Sequence, residues 1–73
     1  MTESTEVRAE WPARVATVHV GPGDTVAAGQ ELVTLEAMKM LTAIAAPRDG
    51  AVAEVFVAVD DFVDQGAVLV RLH

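Results

Sequence analysis

A chain of 73 residues with a formal net charge of -6 and no cysteine holds one small domain. It has no disulfide framework, thiolate metal site or cysteine nucleophile. Its charge repels nucleic acid, whose binding rests on Lys and Arg neutralising phosphates, and suits protein partners with basic surfaces. No apolar run approaches the roughly 20 residues of a membrane helix. The acidic start Met1-Thr2-Glu3-Ser4-Thr5-Glu6 is the opposite of a secretory leader, so the chain reads as soluble and cytoplasmic.

Residues 1–9 read as a short acidic lead, and residues 10–73 as the folded domain. Trp11-Pro12 is placed to cover an open end of the core. Val15-Ala16-Thr17-Val18-His19-Val20 is Val-rich and bounded by Gly and Pro, which predicts a strand rather than a helix. Gly21-Pro22-Gly23-Asp24 is a turn by its chemistry. A short strand at Thr25-Val26, a turn at Gly29 and a strand at Leu32-Val33-Thr34-Leu35 follow. Glu36 to Met40 links this strand to Ala43-Ile44-Ala45-Ala46, which propensity alone leaves ambiguous. Pro47-Arg48-Asp49-Gly50 breaks the chain before a second set of strands at 52–57, 62–63 and 69–72.

That second set repeats the first. Val15-Ala16-Thr17-Val18-His19-Val20 aligns with Val52-Ala53-Glu54-Val55-Phe56-Val57, Asp24 with Asp61, Gly29 with Gly66, and Leu32-Val33-Thr34-Leu35 with Leu69-Val70-Arg71-Leu72. A single offset, that from Val15 to Val52, aligns all of them without a gap. Alternation points Ala16, Val18 and Val20 inward, with Ala53, Val55 and Val57. Val33, Leu35, Val70 and Leu72 are the core candidates of the later strands. Leu32 and Leu69 fall on the opposite parity, which calls for a bulge or a second covered surface. Two half-units, each with one apolar face, must close on each other. The expected fold is all-β, a flattened β-sandwich or barrel of two pseudo-symmetric halves.

Lys39 is the only lysine; the other basic residues are Arg8, Arg14, Arg48 and Arg71, whose permanent charge makes them poor nucleophiles. Apart from the N-terminus, the chain therefore offers one primary amine for acylation. Its address, Glu36-Ala37-Met38-Lys39-Met40, lies in the link at one edge of the domain. The five glycines read as turn residues, and none of their patterns matches a phosphate-cradling loop. His19 and His73 lack a second ligand at metal spacing. Asp60-Asp61 is a turn rather than a carboxylate dyad, because Asp60 stands where the first copy has Gly23.

From Val15 to Leu72 the chain resembles the biotinyl domain of biotin-dependent carboxylases, the biotin carboxyl carrier protein family. The resemblance is carried by Ala37-Met38-Lys39-Met40, the attachment motif, at the middle of a duplicated β unit. Gly23-Asp24-Thr25-Val26, Gly29-Gln30-Glu31-Leu32, Ala46-Pro47 and Gly50-Ala51-Val52 support it. It implies a barrel-sandwich hybrid with Lys39 on a hairpin turn and biotin attached covalently to Lys39. Met38 and Met40 would belong to the surface read by partner enzymes, or pack the hairpin, and the two roles can coexist; Glu36 and Ala37 would belong to the local shape of the motif, Glu36 as a solvated strand residue. A biotin protein ligase transfers biotin from biotinyl-adenylate to the amine; a biotin carboxylase loads the ring and a carboxyltransferase unloads it. An ordinary lysine is protonated at neutral pH, so the ligase is expected to supply the base. The domain itself is a carrier and not an enzyme, and works by tethering.

If Met38-Lys39 forms the tip, it is a poor local choice, because two-residue hairpin turns require positive φ. The chain has no insertion matching the protruding "thumb" of some acetyl-CoA carboxylase carriers and no Ala/Pro-rich linker. It reads as the thumbless type, either a small stand-alone carrier, the favoured reading, or a domain cut from a larger chain. The alternatives are a lipoyl-type swinging-arm carrier, against which Met on both sides of Lys39 argues, and an unmodified β interaction domain.

Overall fold

A computed structural model describes residues 4–73, so Met1, Thr2 and Glu3 of the expected lead lie outside the described residues. The described residues form eight strands and no helix: β1 Thr5–Arg8, β2 Ala13–Val18, β3 Thr25–Val26, β4 Glu31–Ala37, β5 Met40–Ala45, β6 Gly50–Val55, β7 Phe62–Val63 and β8 Val68–Leu72. The ambiguous alanine-rich segment falls in β5, held there by pairing with β4. Two four-stranded sheets result, in the orders β1-β8-β6-β3 and β5-β4-β2-β7. Every neighbouring pair is antiparallel.

These two orders are one order written twice. Shifting β1, β8, β6 and β3 by the offset of the repeat gives β5, β4, β2 and β7. Each sheet therefore takes two strands from each half of the sequence, so neither half can complete a sheet by itself. The hydrogen bonds obey the same relation. His19 N–H donates to the Leu32 carbonyl as Phe56 does to Leu69, and Val52 N–H donates to the Asp24 carbonyl as Val15 does to Asp61. The Asp24 carboxylate accepts from the Gly21 amide, and the Asp61 carboxylate from the Ala58 amide. These Asx contacts close matching turns.

The eight largest fully buried side chains are Leu32, Leu35, Leu69, Leu72, Val15, Val33, Val52 and Val70. They are four pairs under the repeat. Burial of each contributes about 1.5–3 kcal/mol, so the symmetric residues form the energetic centre. The expected inward positions need one correction here. Val15 and Val52 occupy the centre, while Ala16 and Ala53 are half-buried. Between Val15 and Thr17, and between Val52 and Glu54, the register slips by one residue. A bulge of this kind reverses parity locally, so alternation read from Val18 backwards picks the wrong residue. The bulge anticipated at Leu32 and Leu69 is present. Each is skipped by the outer strand, β5 or β1, and each is fully buried.

The boundary at residue 10 also needs correcting. Thr5–Arg8 is a strand, not a lead: it pairs with β8 from Thr5–Leu72 to Arg8–Val68 and buries Val7. It is the counterpart of β5, and Ala9, like Ala46, exchanges two backbone hydrogen bonds with the facing turn. Trp11 packs against the core beside it.

Candidate functional site

Strands β4 and β5 run out past the body of the sheet and are joined by Met38 and Lys39 alone. Ala37 pairs with Met40, whereas the pairing of β4 with β2 stops at Glu36–Arg14. The last pair and the turn thus overhang. Met38 has φ 52° and Lys39 has φ 65°, the two successive positive values of a type I′ turn. This turn matches the twist of the flanking strands but is built for Asn-Gly. For L-residues it costs about 1–2 kcal/mol each. The expected strain is present.

Every side chain of the turn is directed to solvent. Met38 is 95% exposed and Met40 70%, so the two methionines do not pack the hairpin as expected; they flank an exposed Lys39 with apolar, polarisable surface. Ala37 packs partly against the core, anchoring the hairpin's inner side.

Glu36 is half-buried at the root of the hairpin rather than a plainly solvated strand residue. Arg14 donates to its Oε1 through Nε at 3.1 Å and through Nη2 at 2.7 Å. The same guanidinium donates through Nη1 to Asp60 Oδ1 at 2.6 Å. Hydrogen bonding and attraction from Glu36 first, and from Asp60 second, raise the Arg14 pKa above its ordinary value. A raised pKa keeps the interaction in place below the ordinary arginine range, so Arg14 remains charged at any working pH. Asp60 itself has φ 78°, where the first copy has Gly23 at φ 92°. The strained aspartate is understandable as the price of reaching Arg14. One cation thus joins the hairpin root on β4 to the turn before β7.

Cross-strand pairing sets Phe62, Arg14, Glu36 and Leu41 in one row across the outer face. Its two ends are apolar and open: Phe62 is 83% exposed and Leu41 66%. Under the repeat, Phe62, Arg14, Glu36 and Asp60 correspond to Thr25, Ala51, His73 and Gly23. The core pairs are alike, whereas the surface beside Lys39 has the Arg14, Glu36 and Asp60 cluster and the Phe62 ring at positions that the other copy fills with Ala51, His73, Gly23 and Thr25. Sequence reasoning singled out Lys39 and its neighbours but missed Arg14 and Phe62. The mismatch between the copies at those positions was the available signal.

The overhang leaves a notch of about 610 Å³ between the hairpin and the start of β2. It is lined by the apolar residues Pro12, Ala13, Ala37, Met38, Phe62 and Val63 and by the charged residues Arg14, Glu36, Lys39 and Asp64.

An exposed amine on a two-residue turn, at one end of a two-fold β scaffold, agrees with the match of residues 4–72 to the family described as biotin-requiring enzymes. The chain belongs to this family. It is 42% identical over 75 residues to the mitochondrial propionyl-CoA carboxylase alpha chain of Homo sapiens, covering 100% of this chain and 10% of that one. It is 49% identical over 55 residues to the biotin/lipoyl attachment protein of Bacillus subtilis (strain 168), covering 75% of each. Among solved structures it superposes with TM-score 0.88 and 34% identity on a single-chain, multi-domain long-chain acyl-CoA carboxylase, over 93% of this chain and 7% of that one. This biotin-requiring domain thus spans about a tenth or less of the length of those two carboxylases.

Proposed function

We propose that Lys39 accepts biotin through an amide and that the domain carries carboxyl groups between a biotin carboxylase and a carboxyltransferase. The observation that supports this best is the turn. The chain's only lysine occupies the second of two left-handed positions, where its amine is held clear of the sheet. Acylation by a biotin protein ligase joins Nζ to the acyl carbon, releases the activating phosphate ester and passes a proton to a base of the ligase. When attached, biotin supplies a ring nitrogen that takes up and gives up a carboxyl group. The chain's own residues do the rest. Arg14, Glu36 and Asp60 fix the hairpin root, Met38 and Met40 offer apolar contact to each partner in turn, and the tether raises the local concentration of the carried group. The carrier has no need of an acid or base of its own. A lack of cysteine and an acidic surface fit a cytoplasmic setting, which fractionation of cells would test.

Intact mass after incubation with ligase, ATP and biotin tests the assignment. One biotinyl increment is expected, and none in Lys39→Arg. An increment only from a lipoyl ligase would move the domain to the swinging-arm class that the name of the Bacillus subtilis relative also contains. No increment with either ligase would leave an unmodified interaction domain.

A further inference from the structure

We infer that the notch beside the hairpin is a docking site for the bicyclic ring of the biotin carried on Lys39, so that the carrier shelters its own cargo between partners. This inference rests on the attachment proposed above. Four observations lead to it.

The first is position. Lys39 is among the residues that line the notch, and the arm from its Cα to the ring spans about 14 Å when fully extended, by summing ordinary bond lengths. A group on that arm reaches the notch by folding back, with no movement of the backbone. The second is chemistry. The ring has an apolar sulfur-bearing side and a urea side with two N–H donors. The notch is lined by apolar residues such as Pro12, Ala13 and Phe62, and by the acidic residues Glu36 and Asp64 beside Arg14.

The third is an acceptor left open. Arg14 bonds only Oε1 of Glu36, so Oε2 is available to a urea N–H while the charge of the pair stays balanced. The fourth is asymmetry. Phe62 stands 83% exposed at a position where the other copy has Thr25, and it pairs with Arg14 where Thr25 pairs with Ala51. A phenylalanine 83% exposed leaves most of its ring free of the fold. As the wall of a ligand site it supplies a flat apolar face. Docking by a tethered group needs little affinity, because the tether has already removed most of the entropy cost of meeting.

The test compares uniformly 15N-labelled domain before and after biotinylation, with intact mass establishing attachment first. Docking predicts amide shift changes at Ala13, Val63 and Asp64, far along the chain from Lys39, besides those at the turn. Phe62→Ala, a change at an exposed side chain, should remain folded and labelled while losing the distant shifts. A second readout is the rate of capture by streptavidin. A ring docked three-quarters of the time is captured at about a quarter of the free rate, so Phe62→Ala should speed capture about fourfold. Shift changes confined to 37–41, or equal capture rates for the two proteins, overturn the docking and leave attachment standing. A missing mass increment refutes both.

Discussion

Replacing Met38 with Gly separates the stability of the hairpin from its function. The Met38 side chain is 95% exposed, so its removal forfeits almost no burial and only backbone terms remain. At φ 52° an L-residue costs about 1–2 kcal/mol that Gly avoids. Against this, Gly's extra freedom in the unfolded chain costs roughly 0.5–1 kcal/mol. The net is a stabilisation of about 0–1.5 kcal/mol, centred near 0.75, which for a domain of this size raises Tm by roughly 3–6 °C. Thermal unfolding of the unmodified protein measures it. The same variant should show kcat/KM for biotinylation lowered about fivefold or more, as expected when a central apolar contact to a partner is truncated. Met38→Ala serves as the control, because it keeps the strained backbone and removes the contact; it should lower labelling without raising Tm. A Met38→Gly protein that melts more than about 2 °C below the parent would refute the strain, and unchanged labelling would refute the contact.

Further expectations concern the frame around the hairpin. Deleting residues 1–8 should unfold the domain, since it removes β1, the burial of Val7 and the cover over β8, against a total stability of about 4–11 kcal/mol; a folded deletion by circular dichroism would restore these residues to a dispensable lead. Gly66→Ala, at φ 87° with no neighbour near the added Cβ, should cost about 1 kcal/mol or more from backbone strain alone. Gly21→Ala, where φ is ordinary and space is open, should be near neutral in denaturant melts. Arg14→Gln should speed hydrogen exchange at the Ala37 and Met40 amides and slow biotinylation a few-fold, while leaving the core amides protected.

What the sequence made legible follows from how local each signal is. The Val-rich strands, the glycine turns and the repeat are encoded within a few residues of each position, and the structure has them within about two residues of where the pattern puts them, with β2 at Ala13–Val18 for the expected 15–20 and β6 at Gly50–Val55 for the expected 52–57. Ala16 and Ala53 show where alternation misleads: a bulge is set by the partner strand's register, which no period along one strand contains. Strand β1 was missed because its only inward residue is Val7 and its partner β8 lies at the other end of the chain. Extending the repeat offset backwards would have found it, since Thr5, Val7 and Ala9 align with Thr42, Ile44 and Ala46. The turn at Met38-Lys39 was readable from the motif and not from propensity, which argues against both residues there. The notch was hidden because Pro12, Met38 and Phe62 come from three separate segments, and only the unlike residues in the two copies, such as Phe62 against Thr25, pointed to it.

Peptide mapping by tandem mass spectrometry after exhaustive ligase treatment tests the central claim most directly, because it asks which nitrogen the scaffold displays. A single biotinyl group on Lys39, and none on the N-terminal amine, is the predicted result. Biotin on the N-terminus, or a chain that stays unlabelled under conditions that fully modify a known carrier, would contradict it.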